Sequence, residues 1–406
     1  MRVAFIFGSF PALSETFILN QITGLIDEGH EVNLFVQERC RLSKIHSDIE
    51  KYELFRKTSF FNVPRNKILR LLKGLVLILK YFFVRPAAVF KTLNFFRYGK
   101  HAFSLRLFFW SLPFFNEEPF DIIHCHFGGN GVIGVLLRDL GILKGKVVTT
   151  FHGGDANIPC DGTGYRFLFK KGDLFTTNTA FTKMQIIKLG CPPERIRILP
   201  VGLEMKKFAF VKKTMPPDKI VNILTLGRLV EKKGHIYAIE AIKQVVRNNK
   251  NIRYIIAGDG ELRLALEKKV RDLGLEAYVE FRGAIAQEEA LRCYRDSQIF
   301  ILPSVTAANL DREGQALVLQ EAQACGLPVI STLHNGIPDG VLDGVSGFLV
   351  PEKDSKALAE KIEYLIGHAE AWEQMGIKGR NFVEKKYDMR ILIKKLVDMY
   401  NCVLQN

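Results

Sequence analysis

The sequence predicts an α/β protein made of two Rossmann-like domains. Three observations carry that reading: the length, an alternation of short apolar runs with helix-length amphipathic segments, and a restart of that alternation just past the midpoint. The chain has 406 residues, more than one hydrophobic core usually serves, so two domains of about 200 residues each are expected. Hydrophobic residues make up 48% and charged residues 25%, which argues against a disordered or low-complexity chain.

Taken in order, residues 2–7 read as a buried strand, too short an apolar run for a signal peptide. Residues 15–28 read as a helix stopped by Gly29, and 31–36 as the next strand. After a basic helical insertion at about 62–116, strands are expected at 122–125, 147–151, 174–177 and 196–199. The rhythm restarts at 221–226. Later strands fall at 252–257, 279–282, 299–302, 329–331 and 347–350, with helices at 235–247, 261–273, 286–296, 316–325, 355–365 and 369–385. The expected division is an N-terminal domain over 1–203, a C-terminal domain over 204–385, and an amphipathic helix in 386–406 that packs back on the first domain.

Seven cysteines (Cys40, Cys125, Cys160, Cys191, Cys293, Cys325 and Cys402) are scattered without a C-x-x-C pair. That points to a reducing, cytoplasmic setting and away from a disulfide framework or zinc site. The net charge of +14 is concentrated. No acidic residue lies between Glu53 and Glu117, a gap that holds Arg65, Lys67, Arg70, Lys73, Lys80, Arg85, Lys91, Arg97, Lys100 and Arg106. Lys67, Arg70, Lys73 and Lys80 share one arc of a helix. The apolar runs between them are too short to span a bilayer. Two readings stay open for residues 65–110. One is a basic amphipathic surface resting on the anionic inner face of the plasma membrane; the other is a helical pair covering the sheet with its lysines solvated. No nucleic-acid-binding module is visible.

Ligands of doubly wound sheets bind beyond the carboxyl ends of the strands, where Gly-rich loops meet helix N-termini. Four loops qualify: Gly8-Ser9-Phe10-Pro11, His152-Gly153-Gly154-Asp155, the segment from Gly227-Arg228 to Lys233-Gly234, and Glu313-Gly314-Gln315-Ala316 entering a helix with Glu321. Arg228 and Lys233 together suit a diphosphate, the first as a fork and the second as a point charge. Glu313 and Glu321 suit sugar hydroxyls. If one helix carried both, its rise of about 12 Å would exceed the separation of glycosidase carboxylate pairs. His124 and His126 alternate on a strand with no further ligand at metal spacing, so no metal is expected.

Five segments occur in order: Asp121-Ile122-Ile123-His124-Cys125-His126-Phe127-Gly128, Phe151-His152-Gly153-Gly154-Asp155, Gly227-Arg228-Leu229-Val230-Glu231-Lys232-Lys233-Gly234, Ala257-Gly258-Asp259-Gly260-Glu261-Leu262, and Glu313-x7-Glu321. Together they resemble the group 1, or family 4, retaining glycosyltransferases of the GT-B fold, whose two Rossmann-like domains face each other across a cleft. The opening Pro11-Ala12-Leu13-Ser14-Glu15-Thr16-Phe17-Ile18 looks like the branch that builds exopolysaccharides such as colanic acid.

The resemblance implies a nucleotide-sugar donor (UDP- or GDP-sugar), a glycan or lipid-linked saccharide acceptor, and no cofactor or metal. It implies that Arg228 and Lys233 hold the diphosphate, Glu321 the ribose, and Glu313 with Gly314, Gln315 and Ala316 the donor sugar. His152 would lie near the reacting carbon with Asp155 in support, and Arg282 and Gly283 near the base. The Gly8 loop would close over phosphates or acceptor, with Ser9 and His126 on the acceptor side. Catalysis would rest on His152, Glu313, Arg228 and Lys233, and Lys233→Ala would cost activity with little loss of fold. Gln315-Ala316 and the Asp339-Gly340 that follows Gly336-Ile337-Pro338 depart from the family's usual residues at the donor pocket. A sugar-nucleotide epimerase, a phosphorylase, or a non-catalytic sugar-nucleotide binder on the same fold is the alternative.

Overall fold

The computed structural model describes residues 1–11, 16–40, 46–156 and 164–405. It divides into two compact units: Met1–Thr177 with Lys183–Leu199 and Ile393–Asn406, and Asn178–Thr182 with Pro200–Leu392.

The first unit is built on seven strands: β1 (Arg2–Phe10), β2 (Glu31–Arg39), β3 (Thr58–Phe60), β4 (Ile122–His126), β5 (Lys146–Phe151), β6 (Leu174–Thr177) and β7 (Ile196–Ile198). They lie parallel in the order β3-β2-β1-β4-β5-β6-β7. Between them run α1 (Thr16–Asp27), α2 (Ser47–Lys51), α3 (Lys67–Phe82), α4 (Pro86–Thr92), α5 (Phe95–Phe103), α6 (Arg106–Ser111), α7 (Gly128–Asp139), α8 (Arg166–Lys171) and α9 (Ala180–Lys188). Val3 to Phe7 are all buried. That is why β1 reads as a continuous apolar run rather than an alternation: helices cover both faces of a parallel sheet.

The second unit repeats the plan with β8 (Val221–Leu226), β9 (Ile252–Ala257), β10 (Val279–Gly283), β11 (Ile299–Leu302), β12 (Val329–Thr332) and β13 (Gly347–Val350). Their order is β10-β9-β8-β11-β12-β13, again parallel. Its helices are α10 (His235–Asn248), α11 (Arg263–Asp272), α12 (Gln287–Asp296), α13 (Leu317–Ala324), α14 (Ser355–Gly367) and α15 (Ala371–Tyr387), followed by α16 (Met389–Gln405). In both sheets the winding direction reverses beside the first strand, at β1/β4 and β8/β11. These are the switch points where a doubly wound sheet opens a crevice.

Four sequence expectations change. Residues 8–10 are not a loop: β2 runs on to Arg39 and pairs Ser9 with Glu38, which keeps Gly8 and Ser9 in the ladder. β3 went unread because three residues at a sheet edge leave no periodicity. The insertion holds four helices, α3 to α6, rather than two. Glu313 precedes α13, which starts at Leu317, so Glu313 and Glu321 do not share one helix and its rise does not set their separation. Residues 12–15 of the opening segment, Cys160 and residue 406 lie outside the described residues. Cys40, Cys125, Cys191, Cys293 and Cys325 are free thiols.

The end of α16 belongs to the first unit. A Cβ on Gly24 of α1 would lie 2.6 Å from the Ile393 side chain, and fully buried Tyr400 reaches β4.

Candidate active site

The second unit's loop after β8 is fixed by backbone contacts. Gly227 N–H donates to Ala257, Leu229 N–H to Asp259, and Leu262 N–H back to Leu229, at 2.9–3.0 Å. Two glycines are obligatory there. Gly258 has φ +144° and a Cβ would lie 1.9 Å from the Gly227 carbonyl oxygen; Gly234 has φ +68° and a Cβ would lie 1.8 Å from the Pro303 carbonyl oxygen. Both clashes are with backbone, and both φ values suit glycine. Buried His235 has its pKa lowered to about 4 by desolvation, so it is neutral and donates from Nε2 to the Arg228 carbonyl at 3.0 Å. Arg228 is left exposed, with no ion pair holding its guanidinium among the described residues.

Lys233 folds back along Gly227, close enough that a Cβ on that glycine would meet the lysine stem at 3.6 Å. Its ammonium forms an ion pair with Glu313, both side chains nearly buried. Burial is the largest influence and would raise the Glu313 pKa, but the charge and hydrogen bond of Lys233, with Lys232 and His334 nearby, together outweigh it and the net shift is downward. A relay holds the Glu313 backbone: its N–H donates to His334 Nε2 at 3.1 Å, and its carbonyl accepts from Asn335 at 3.2 Å. His334 Nδ1 then donates to Glu352 at 2.6 Å. The accepting role of Nε2 fixes that tautomer.

Glu321 lies on α13, and one carboxylate oxygen accepts from the Tyr294 hydroxyl at 2.8 Å. Burial raises its pKa, partly offset by Tyr294 and Lys233. Ahead of it, Ala316 takes a left-handed conformation at φ +55°, and no side chain caps the helix start. The Gln315 amide is spent on Val201, accepting from its N–H at 2.7 Å and donating to its carbonyl at 2.9 Å. Only the backbone of Gln315 is left for a ligand. The Asp339 carboxylate accepts from Ala180 N–H at 2.6 Å, a bond within the second unit. Arg282 donates to Glu280 at 2.8 Å and to the Cys293 sulfur at 3.2 Å, while the Gly283 carbonyl accepts from Gly258 N–H at 2.8 Å.

In the first unit, His124, His126 and His152 stack in series, with centroids 4.6 and 5.2 Å apart and planes within 19°. His126 Nδ1 and His152 Nε2 share a hydrogen bond of 2.9 Å. Tyr400 and Thr150 hold the two nitrogens of His124 at 2.5 and 2.6 Å, and Phe17 tilts over His152 at 4.6 Å. Desolvation lowers the pKa of His124 and of His152 to about 3, and that of His126 well below its ordinary value. All three are neutral at pH 7. His126 is fully buried, so it reaches a ligand only through His152. Asp155 is committed to backbone: its two oxygens accept from Gly128 N–H at 2.8 Å and His152 N–H at 3.0 Å. It ties the β4 and β5 loops together rather than facing a sugar. Gly8 and Ser9 lie near the end of β1, on the side paired with β2. Among the described residues no cluster of three metal-capable side chains forms.

The sequence reading missed four supporting residues: Tyr294, His334, Glu352 and Tyr400. His334 carried a usable signal, a histidine just past a buried strand and ahead of Gly336-Ile337-Pro338. Tyr400 carried none, since its partner is 276 residues away.

Comparison with known proteins shows the family. The model of the glycosyl transferases group 1 matches residues 206–382, and that of glycosyltransferase family 4 matches residues 14–207. A putative colanic acid biosynthesis glycosyltransferase, WcaL, of Salmonella typhimurium is 34% identical over 99% of this chain and 100% of its own. The amylovoran biosynthesis glycosyltransferase AmsK of Erwinia amylovora is 34% identical over 98% and 99%. Among solved structures, Anabaena Alr3699/HepE in complex with UDP superposes with a TM-score of 0.73 over 99% of this chain and 100% of its own, at 17% identity, a likeness that speaks for the fold. With two parallel Rossmann-like sheets, both family models and full-length relatives in accord, the chain belongs to the group 1, family 4 glycosyltransferases of the GT-B fold.

Proposed function

We propose that this glycosyltransferase moves a sugar from a nucleoside-diphosphate sugar to a glycan or lipid-linked saccharide in exopolysaccharide assembly, retaining the anomeric configuration and using no metal. The observation that carries the reading is the backbone-locked loop presenting exposed Arg228 beside a Lys233 already paired to Glu313. The relatives are named for colanic acid and amylovoran biosynthesis, and a neighbour of the same fold holds UDP.

In this reading Arg228 and Lys233 bind the diphosphate. The uncapped start of α13, at Gly314 to Val318, adds backbone N–H groups and the positive end of a helix. Glu321 takes the ribose hydroxyls with the oxygen Tyr294 leaves free. Glu313, on its His334–Glu352 support, takes a hydroxyl of the donor sugar, and Arg282 and Gly283 flank the base. In the first unit, His152 is neutral, held by His126 and by the Asp155 tie, and is the residue the family resemblance assigns to the reacting carbon. Gly8 and Ser9 border the acceptor.

The bond from the anomeric carbon to the diphosphate oxygen breaks, and its electron pair leaves with the phosphate. Fixed positive charge stabilises that leaving group as it forms. The acceptor hydroxyl oxygen bonds to the same face of the carbon, and its proton passes to the departing phosphate oxygen. Nucleoside diphosphate release is measured for UDP-, GDP- and ADP-sugars with and without lipid-linked acceptor. Acceptor-dependent release with a retained linkage supports the proposal. Release with an inverted linkage, or turnover of the nucleotide sugar without transfer, overturns it.

A further inference from the structure

Helix α3 wears its apolar stripe on the outside. At 100° per residue, Ile68, Leu72, Leu75, Val76, Leu79 and Phe83 fall within an arc of about 100°, and each is between 51% and 85% exposed. A surface helix normally turns such a stripe to the core. Here the opposite face does that work. Gly74 lies against α6, where a Cβ would come within 2.6 Å of Leu105. Arg70 is buried and donates to the Pro64 carbonyl at 3.2 Å. Leu77 and Tyr81 pack on Phe108, Phe109 and Phe115. The arc of cations read from the sequence is therefore not the outward face: Lys73 and Lys80 flank the leucines.

The surface continues past α3, with Phe96 91% and Phe103 85% exposed on α5. Contiguous large apolar side chains, each more than half exposed, are uncommon on a soluble monomer unless the surface is an interaction site. No helix among the described residues is long and apolar enough to cross a membrane, and α3, at 16 residues, is about 24 Å long.

We infer that α3, with the exposed phenylalanines of α5, lies flat in the surface of an anionic lipid bilayer, leucines inserted among the acyl chains and lysines on the headgroups. Charge selects this occupant. No acidic residue lies between Glu53 and Glu117, so a second copy of the same face would meet like charge with like. An anionic lipid surface attracts the flanking cations while its interior accepts the leucines. A nucleic acid would leave the apolar centre of the face unburied.

The test reads partition without catalysis, so it stands whether or not the proposed donor chemistry holds. The full chain is floated with vesicles of phosphatidylglycerol and phosphatidylethanolamine, and with phosphatidylcholine alone. The wild type binds the anionic vesicles, more weakly at high salt. Leu72→Glu/Val76→Glu/Leu79→Glu loses at least tenfold of that binding with its melting temperature within a few degrees of wild type. Lys73→Gln/Lys80→Gln loses the preference for anionic over neutral lipid. As a readout that avoids the triple variant, Phe83→Trp shifts its emission to the blue on adding anionic vesicles and is quenched by brominated lipid. The inference falls if the wild type stays unbound and the Phe83→Trp emission stays fixed, if the triple variant binds as wild type does, or if the face instead holds a dimer that the triple variant separates.

Discussion

Lys233 and Glu313, 80 residues apart, form an ion pair on the two loops that flank the β8/β11 switch point. The sequence assigns each to the donor, one to its phosphates and one to its sugar. Their pairing makes them one electrostatic unit. It keeps the carboxylate ionised in a nearly buried place and holds the ammonium near Gly227.

Lys233→Ala is therefore more than a loss of a phosphate contact. Transfer falls by about 10²–10³ in kcat/KM, as for other removed transition-state contacts. Because Glu313 is left buried without its partner, stability also drops by about 1–3 kcal/mol, a larger effect than the little loss of fold expected from the sequence. Adding Glu313→Gln restores most of the stability and none of the activity. Denaturant unfolding of the single and double variants checks this. Additive losses would show that the pair is not coupled.

Glu321→Ala weakens nucleotide binding about 10–100-fold, the worth of a charged hydrogen-bond acceptor. It also leaves the Tyr294 hydroxyl without that acceptor, at a cost of about 1–2 kcal/mol. Calorimetric titration with nucleoside diphosphate reads the first effect and thermal melting the second. Unchanged affinity would remove Glu321 from the donor site.

The three stacked histidines make stability fall with acid. Each is neutral in the folded chain, with a lowered pKa, and each takes up a proton near pH 6.5 once unfolded. The unfolded state therefore binds more protons below that pH. The loss starts near pH 6.5, deepens by up to about 1.4 kcal/mol per pH unit for each histidine, and continues toward pH 3. Melting curves from pH 8 to pH 5 show it. Replacing His126 with Phe flattens the slope, and a slope unaltered by that change would contradict the neutral assignment.

Gly234→Ala puts a methyl onto the Pro303 carbonyl at a left-handed φ. The loop carrying Lys233 has to move, and the variant loses about 2–4 kcal/mol, from clash and strain together. Gly29→Ala, also at positive φ but with open space around the added methyl, costs about 1 kcal/mol. Equal losses in the two would show that the Pro303 contact is unimportant.

The sequence made the sheets legible because parallel strands covered on both faces are written as unbroken apolar runs, as in residues 3–7 and 299–302. It made the second unit's loops legible because Gly234 and Gly258 mark backbone that no other residue fits. It misled at Gly8 and Ser9, where a glycine and a proline suggested a turn that the pairing of β1 with β2 overrides. It was silent on Tyr294, Glu352 and Tyr400, whose roles depend on tertiary contact alone. On α3 the arc shared by Lys67, Arg70, Lys73 and Lys80 was visible, but which face points outward depends on Gly74 meeting Leu105, a fact of packing and not of period.

The central claim is that the loop from Gly227 to Gly234 captures a diphosphate. Calorimetric titration of UDP, UMP and uridine, and of GDP, GMP and guanosine, into the wild type and into Arg228→Ala/Lys233→Ala tests it. In the wild type, one diphosphate binds at least tenfold more tightly than its monophosphate, and that gap closes in the double variant while nucleoside binding is unchanged. A double variant that keeps the diphosphate advantage would contradict the account.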